Sequence, residues 1–196
     1  MTISVLRPKD PQIPSDAGTS NERELRLLAR VARQDRDAFH DLYYIYHRRL
    51  SRFISRLTSR HDLIEEVIND TLWTVWKKAG EFRAASQVST WILGIAYRQA
   101  LTSLRRANTH SLVDDSARDQ LMAEDVQATN ELREWLDEAL DQLPLEQRTV
   151  IELTYYLGHS CEEIATIMGC PVNTVKTRMF YARRKLKSTL APQTGE

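Results

Sequence analysis

Glycine and proline are scarce in this chain, six of each in 196 residues, and runs of β-branched residues are few. That leaves little of the material that turns and strands need, so helix is the expected element throughout. Cysteine is limited to Cys161 and Cys170, which excludes a disulfide framework and suggests free thiols in a reducing compartment. No stretch reaches the roughly 18 consecutive apolar residues of a membrane span. The first 18 residues hold no apolar signal core, being broken by Pro8, Pro11 and Pro14, so the expected location is the cytoplasm, with no membrane insertion. Walker and dinucleotide-binding loops and nucleophile motifs are all missing, so no catalytic residue and no cofactor are expected. The five histidines, His40, His47, His61, His110 and His159, show no metal-ligand spacing. His40 and His47 stand seven apart on one helix without a third ligand. His159 with Cys161 and Cys170 falls short of a four-ligand set, so no metal site is expected either.

Net charge is also lacking, with 27 basic and 27 acidic residues. The balance hides segregation. From Asp114 to Glu146 eleven acids face only Arg118 and Arg133, whereas Pro171 to Leu190 carries Lys176, Arg178, Arg183, Arg184, Lys185 and Lys187 and no acid. Such polarity points to one surface for a polyanion and another that repels it. Apolar residues make up 42% and charged residues 28%, an ordinary balance for a folded globular protein.

Apolar periodicity divides the chain in two. Leu25, Leu28 and Val31 mark a first helix from about Glu22. Asp35 or Asp37 caps a second, whose stripe is Phe39, Leu42, Tyr43, Tyr46, Leu50, Phe53, Ile54 and Leu57. A third, from about Asp62 to Ala79, carries Leu63, Ile64, Val67, Ile68, Thr71, Leu72, Val75 and Trp76. A fourth, from about Ser89 to Arg106, buries Trp91, Ile92, Ile95 and Leu104. The pattern weakens into polar, acidic sequence and returns with Leu132, Trp135, Leu136, Ala139 and Leu143, until Pro144 stops it. A helix from about Leu145 to Leu157 then ends at Gly158. The expected architecture is all-α: a tail at 1–20, a first helical domain at 21–107, a flexible linker at 108–129, a second domain at 130–190 and a tail at 191–196.

The sharpest signal begins at Ser160. Ser160 and Glu163 have capping-box spacing, which predicts a helix start at about Cys161. Ile164, Ala165, Ile167 and Met168 supply its inner face. Gly169-Cys170-Pro171 breaks the chain, with glycine able to take positive φ and proline able to open a new helix. In the helix that follows, Val175, Met179, Ala182 and Leu186 face inward, leaving Asn173, Lys176, Thr177, Phe180, Tyr181 and Arg184 outward. Cations, hydroxyl, amide and aromatics together on one outward face suit the recognition helix of a helix-turn-helix. Lys176 would reach guanine, Thr177 a base or phosphate, and Phe180 a thymine methyl. Arg178, Arg183, Lys185 and Lys187 would meet phosphates.

With these residues in view, the chain resembles the extracytoplasmic-function (ECF) group of bacterial RNA polymerase sigma factors. The run LPLEQRTVIELTYYLGHSCEEIATIMGCPVNTVKTRMFYARRKLK is similar to that family's region four. DAFHDLYYIY, DLIEEVINDTLWTVWKKA and STWILGIAYRQALTSLRR are similar to its region two. The resemblance implies core RNA polymerase and promoter DNA as partners, with double-stranded −35 and melted −10 elements. An anti-sigma protein and a Ser/Thr kinase are candidate regulators. It implies −35 contacts from Asn173, Thr174, Lys176, Thr177, Arg178, Phe180, Tyr181, Arg183 and Arg184. For the −10 element it implies Phe82, Arg83, Ser86, Arg98, Gln99, Thr102, Arg105 and Arg106, with Phe82 to Ser89 as a base-capturing loop. Core docking would fall to Asp62, Glu65, Glu66, Asn69, Asp70 and Trp73, an aromatic ringed by polar groups as at interfaces. Trp91 reads better as a core anchor than as a stacking platform, and Tyr97 fits either role. The competing reading is a helix-turn-helix regulator acting without core polymerase, although the receiver-type βαβ pattern such proteins carry is missing.

Three departures from the family pattern stand out. Ser59-Arg60-His61-Asp62 replaces a strongly acidic start of the docking helix, so only Asp62 keeps its charge there. Phosphorylation of Thr71 or Ser59 would restore negative charge. Asn173 stands where glycine is usual, and Tyr181 where arginine is common.

Overall fold

The computed structural model describes residues 16–110 and 135–190. Four helices form the first module: α1 (Asp16–Val31), α2 (Arg36–Ser55), α3 (His61–Lys78) and α4 (Val88–His110), with a short 3₁₀ turn at Ala79–Glu81. The second comprises α5 (helical over 135–141), α6 (Leu145–Tyr155), α7 (Cys161–Met168) and α8 (Val172–Thr189). No strand occurs among the described residues, and none of their helices is long and apolar enough to cross a membrane. The tail expected at 191–196, residues 1–15 of the N-terminal tail and most of the expected linker lie outside the described residues. The first helix starts at Asp16, ahead of the expected boundary at residue 21, and α4 continues to His110, past the expected end at 107.

Local chemistry sets the helix starts. Asp35 is the N-cap of α2: its carboxylate accepts from the Ala38 amide at 3.1 Å and pairs with Arg30 at 2.8 Å. The Ala38 amide and then Arg30 hold its carboxyl below the usual range. Leu42, Tyr46, Leu50, Phe53 and Ile54 of α2 and Ile64, Val67, Ile68, Leu72 and Val75 of α3 are all buried. They meet Leu27, Leu28 and Val31 of α1 and one side of α4, so the stripes close a single core, each stacked side chain contributing through the apolar area it removes from water. Trp91 is half-buried against Phe82, with ring centroids 5.3 Å apart.

A buried carboxylate, which the apolar pattern did not announce, fastens α1 to α2. Glu24 is 4% exposed and accepts from the Tyr46 hydroxyl at 2.5 Å and from Arg49 at 2.6 Å. Burial, then the Glu24 charge, pushes the Tyr46 phenol well above its ordinary range, so it stays a donor.

The largest difference from the sequence reading lies in α4. Its apolar residues do not form one stripe: Ile92, Leu93, Gly94, Ile95, Ala96 and Tyr97 are buried in succession. A helix apolar on every side is covered on every side. One face lies on α1, α2 and α3, and the opposite face carries α7 of the second module. A Cβ built on Gly94 would lie 3.7 Å from the Ile167 Cα, so the two backbones pass with no side chain of residue 94 between them. Polar contacts flank this joint. Thr90 donates to Glu163 at 3.4 Å, and Arg56 pairs with Asp137 while lying 5.1 Å from the Tyr156 ring centroid. The two modules are packed together.

Replacing Tyr46 by Phe should leave a buried Glu24 oxygen without its shortest donor and cost about 1–3 kcal/mol. Urea unfolding monitored by circular dichroism checks this, and Tyr43→Phe on the half-buried side of α2 should change little.

Candidate nucleic-acid and polymerase interfaces

The helix-turn-helix is built as its spacing predicts. Ser160 Oγ accepts from the Glu163 amide at 3.2 Å, and the Glu163 carboxylate accepts from the Ser160 amide at 2.9 Å. Gly169 ends α7 at φ 64°, a left-handed conformation that costs glycine little, and Cys170 N–H closes the turn on the Ala165 carbonyl at 3.1 Å. Gly158, at φ 71°, turns the chain between α6 and α7 in the same way. Pro171 sits at the N-cap of α8, one position before the helix proper.

Val175, Met179 and Ala182 seat α8 on the rest of its module, so the opposite face is presented outward. Asn173, Lys176, Thr177, Phe180, Tyr181, Arg183 and Arg184 are exposed and Thr174 is half-buried. Phe180 and Tyr181 are 60% and 50% exposed and meet edge to face at 5.5 Å. Two large aromatics held against each other in solvent have no packing explanation among the described residues. Arg183 is steered toward Tyr155, 5.6 Å from its ring centroid. Two cations are already engaged within the chain. Arg178 is half-buried and donates to Cys170 Sγ at 3.6 Å, and Lys185 donates to the Gln142 carbonyl. Arg178 therefore braces the turn of the motif, because its guanidinium is held back toward α7.

On α3, Asp62, Glu65, Glu66, Asn69, Asp70 and Trp73 are all exposed and lie opposite the buried stripe. Trp73 is 56% exposed, and Lys77 Nζ lies 5.1 Å from its ring centroid. Arg60 folds onto Asp62 at 2.6 Å, which draws the Asp62 carboxyl below its usual range. The basic substitution in this segment thus covers the one carboxylate that remains. Glu65 faces His47 at 3.5 Å, and Glu66 accepts from Ser103 at 3.4 Å.

Two expected residues are corrected. Thr71 is fully buried and its hydroxyl donates to Gln99 Oε1 at 2.8 Å, so no kinase reaches it in the folded domain. Gln99 in turn donates to the Asp70 carbonyl at 3.2 Å and to Thr74 at 2.9 Å. With both ends of its amide engaged, Gln99 ties α4 to α3 and is removed from the DNA-facing set. Ser59 is exposed. The rest of the expected −10 track, Arg98, Thr102, Arg105 and Arg106, runs exposed along the C-terminal half of α4. In the loop before α4, Arg83 is exposed, Ser86 is half-buried, and Phe82 is half-buried on Trp91. Ala84 in that loop has φ 51°, a strained conformation for a residue with a Cβ and one no sequence signal gave. Tyr97 is 3% exposed, and burial raises its phenol while Glu146, Arg178 and Cys170 all lie within electrostatic reach. It belongs to the joint between modules.

No three His, Cys, Asp or Glu residues among those described gather as a metal site. Cys161 and Cys170 are free and half-buried, and His159 turns to Glu163 at 3.5 Å.

These surfaces define a class of protein: a helix-turn-helix DNA-binding module coupled to a second helical module with its own polar, aromatic face. Comparison with known proteins makes the class specific. Sigma-70 region 2 matches residues 42–110, and sigma-70 region 4 matches residues 133–186. The ECF RNA polymerase sigma factor SigM of Mycobacterium tuberculosis is 32% identical over 174 residues, covering 88% of this chain and 87% of that protein. The ECF RNA polymerase sigma-E factor of Haemophilus influenzae is 30% identical over 179 residues, covering 85% and 94%. Among solved structures, the Bartonella quintana sigma factor RpoE, in complex with the anti-sigma factor NepR, aligns with a TM-score of 0.62 at 25% identity over 79% of this chain and 98% of that one. CnrH, in complex with the cytosolic domain of CnrY, shares the fold at TM-score 0.66 and 21% identity, over 88% and 99%. The chain belongs to the ECF RNA polymerase sigma factors. It binds core RNA polymerase and directs promoter-specific initiation by recognising −10 and −35 elements, and it is a specificity factor, not an enzyme. The competing reading, a regulator independent of core polymerase, finds no support.

Burial holds the His159 imidazole below its ordinary pKa near 6.5 despite the Glu163 carboxylate, and the Arg49 cation opposite adds to the depression. The unfolded chain therefore binds the proton more readily, so the contribution of His159 is full above about pH 6.5 and is lost as pH falls from there through the lower folded-state pKa. Melting temperature should drop between pH 7.5 and 5.5, and His159→Gln should flatten that part of the profile.

Proposed function

We propose a division of labour in which α3 docks the polymerase, α4 with its preceding loop handles the melted −10 strand, and α8 reads the −35 duplex. The observation that carries it is the exposed α3 face, where Asp62, Glu65, Glu66 and Asp70 and the amide of Asn69 accompany one aromatic, Trp73. A residue as large as Trp73 left 56% exposed in this setting has the character of an interface anchor. On this reading a basic surface of the polymerase receives the carboxylates, and Trp73 fills a pocket at the centre. Arg60, by pairing with Asp62, weakens the docking.

For promoter contacts, Lys176, Thr177, Phe180 and Tyr181 form the base-facing group of α8, with Asn173 and Thr174 at its start. Arg183 and Arg184 meet phosphates, and Arg178 acts by holding the turn. On the −10 side, Phe82, Arg83 and Ser86 present a base-capturing loop, and Arg98, Thr102, Arg105 and Arg106 track the strand. Ser59 remains the modification candidate, because a phosphate there would add negative charge beside the α3 N-terminus. The two functional units are residues 21–107 and 130–190, and the protein works in the cytoplasm, where polymerase and chromosome are. An anti-sigma protein, the class of partner bound to the Bartonella quintana relative, is the candidate regulator.

Run-off transcription with purified core polymerase on a genomic library tests the assignments. Trp73→Ala should lower core association about tenfold or more, as a central anchor does, while the melting temperature stays near that of the wild type. Arg60→Glu should strengthen association in a salt-sensitive manner. Lys176→Ala should change which promoters are used, and if Trp73→Ala binds core like wild type, α3 is not the docking face.

A further inference from the structure

We propose that Asn21 and Ala84 are positioning residues for −10 base capture: Asn21 fixes where α4 begins, and the left-handed turn at Ala84 holds the loop before α4 in its presenting shape. The inference rests on the assignment of that loop to the melted −10 strand.

Backbone strain is the first observation. Two non-glycine residues among those described have positive φ, Gln34 at 63° and Ala84 at 51°. Gln34 is accounted for by its neighbours. It stops α1, its amide donating to the Val31 carbonyl at 2.8 Å while the Asp35 amide donates to the Arg30 carbonyl at 3.2 Å. Ala84 has no such local cause. Among the described residues, no backbone group of 83–86 pairs with another backbone group. A Cβ disfavours this region, so the conformation persists only because the surroundings impose it, and strain of this kind gathers at sites that bind.

The ends of the loop supply the constraint. At its entry the Phe82 amide donates to the Ala79 carbonyl at 3.3 Å, and the Phe82 ring lies on Trp91. At its exit the Val88 amide, in the first turn of α4 where intrahelical acceptors are lacking, donates to Asn21 Oδ1 at 3.3 Å. The cap therefore comes from 67 positions away, on α1, and not from the loop itself. The same helix touches both the 3₁₀ turn that precedes the loop and α4 that follows it, so α1 brackets the loop at both ends. It is itself pinned. Glu24, three residues after Asn21 and so on the same side of α1, is buried against Tyr46 and Arg49. The polar cluster between α1 and α2 thus sets the register from which Asn21 caps α4.

A short segment fastened at both ends, with a residue of restricted backbone freedom at its turn, meets an unstacked base without first being ordered. Less conformational entropy is then lost on capture. Glycine at 84 would adopt the same φ without strain, yet it would also free the loop to leave that shape. Alanine there gives up some folding stability and keeps the loop presented.

The test uses holoenzyme assembled from core polymerase and the full chain, on a promoter recovered by run-off, with the melting temperature of each free variant measured alongside. Ala84→Gly should melt at or above the wild-type temperature but form open complexes several-fold more slowly, with initial duplex binding unchanged. Gln34→Gly relieves comparable strain at the end of α1 and should leave opening as in the wild type. Ala84→Asn accepts left-handed backbone better than alanine and is less free than glycine, so it should open promoters at nearly the wild-type rate. Asn21→Leu, which removes the acceptor at similar volume, should slow opening as Ala84→Gly does. Single abasic sites placed along a single-stranded −10 oligonucleotide locate the captured base. One position should cost the wild-type holoenzyme most of its affinity, and that loss should shrink several-fold in Ala84→Gly. An Ala84→Gly chain that opens promoters and senses the abasic site as wild type does overturns the positioning role, as does equal slowing in Gln34→Gly. If no abasic position matters even to the wild type, the loop captures no base and the −10 assignment itself fails.

Discussion

Everything in this molecule turns on α4 being covered on two sides. A helix that is apolar from Ile92 to Tyr97 cannot leave either face in water without exposing large apolar area, and the described chain has two surfaces to offer it. One is the core formed with α1, α2 and α3, and the other is α7. The first contact makes the domain. The second decides how the two domains stand to one another, and it is possible because residue 94 is glycine and lets the Ile167 backbone come close.

Around that contact the polar chemistry is arranged with different degrees of commitment. The Glu24, Tyr46 and Arg49 cluster is buried and paired, and it belongs to the first module alone. The groups that cross between modules are looser: a Thr90 to Glu163 hydrogen bond at 3.4 Å, a half-exposed Arg56 to Asp137 pair, and Glu152 with an orphan oxygen. Glu163 serves twice, as the capping-box partner of Ser160 and as a contact to α4, so the fold of the helix-turn-helix and its docking share an atom group. Exposed pairs contribute little on their own, and so the apolar contact carries the joint while the rim gives it register.

Much of the site was legible before any coordinates. The Ser160 and Glu163 spacing, Gly169 and the α8 stripe predict the helix-turn-helix because capping and helical periodicity are local properties, settled within a few residues. The outward sets on α3 and α8 followed for the same reason. What was misread involved distant partners. Thr71 and Gln99 look like ordinary polar residues near helix faces, yet they hydrogen-bond to each other across 28 positions of sequence. Arg178 and Lys185 resemble free cations until the turn sulfur and the Gln142 carbonyl take their donors.

The sequence alone determined eight helical segments, the Ser160 capping box, the glycine stops at Gly158 and Gly169, and the outward faces of α3 and α8, one acidic and one basic, since each depends on neighbours one to four residues away. Only the tertiary structure decided that α4 is shared between modules, that Glu24 is buried, that Ala84 is strained and that Tyr97 lies in a joint. Those facts depend on which surfaces meet, and residue spacing along one helix carries no information about the helix opposite.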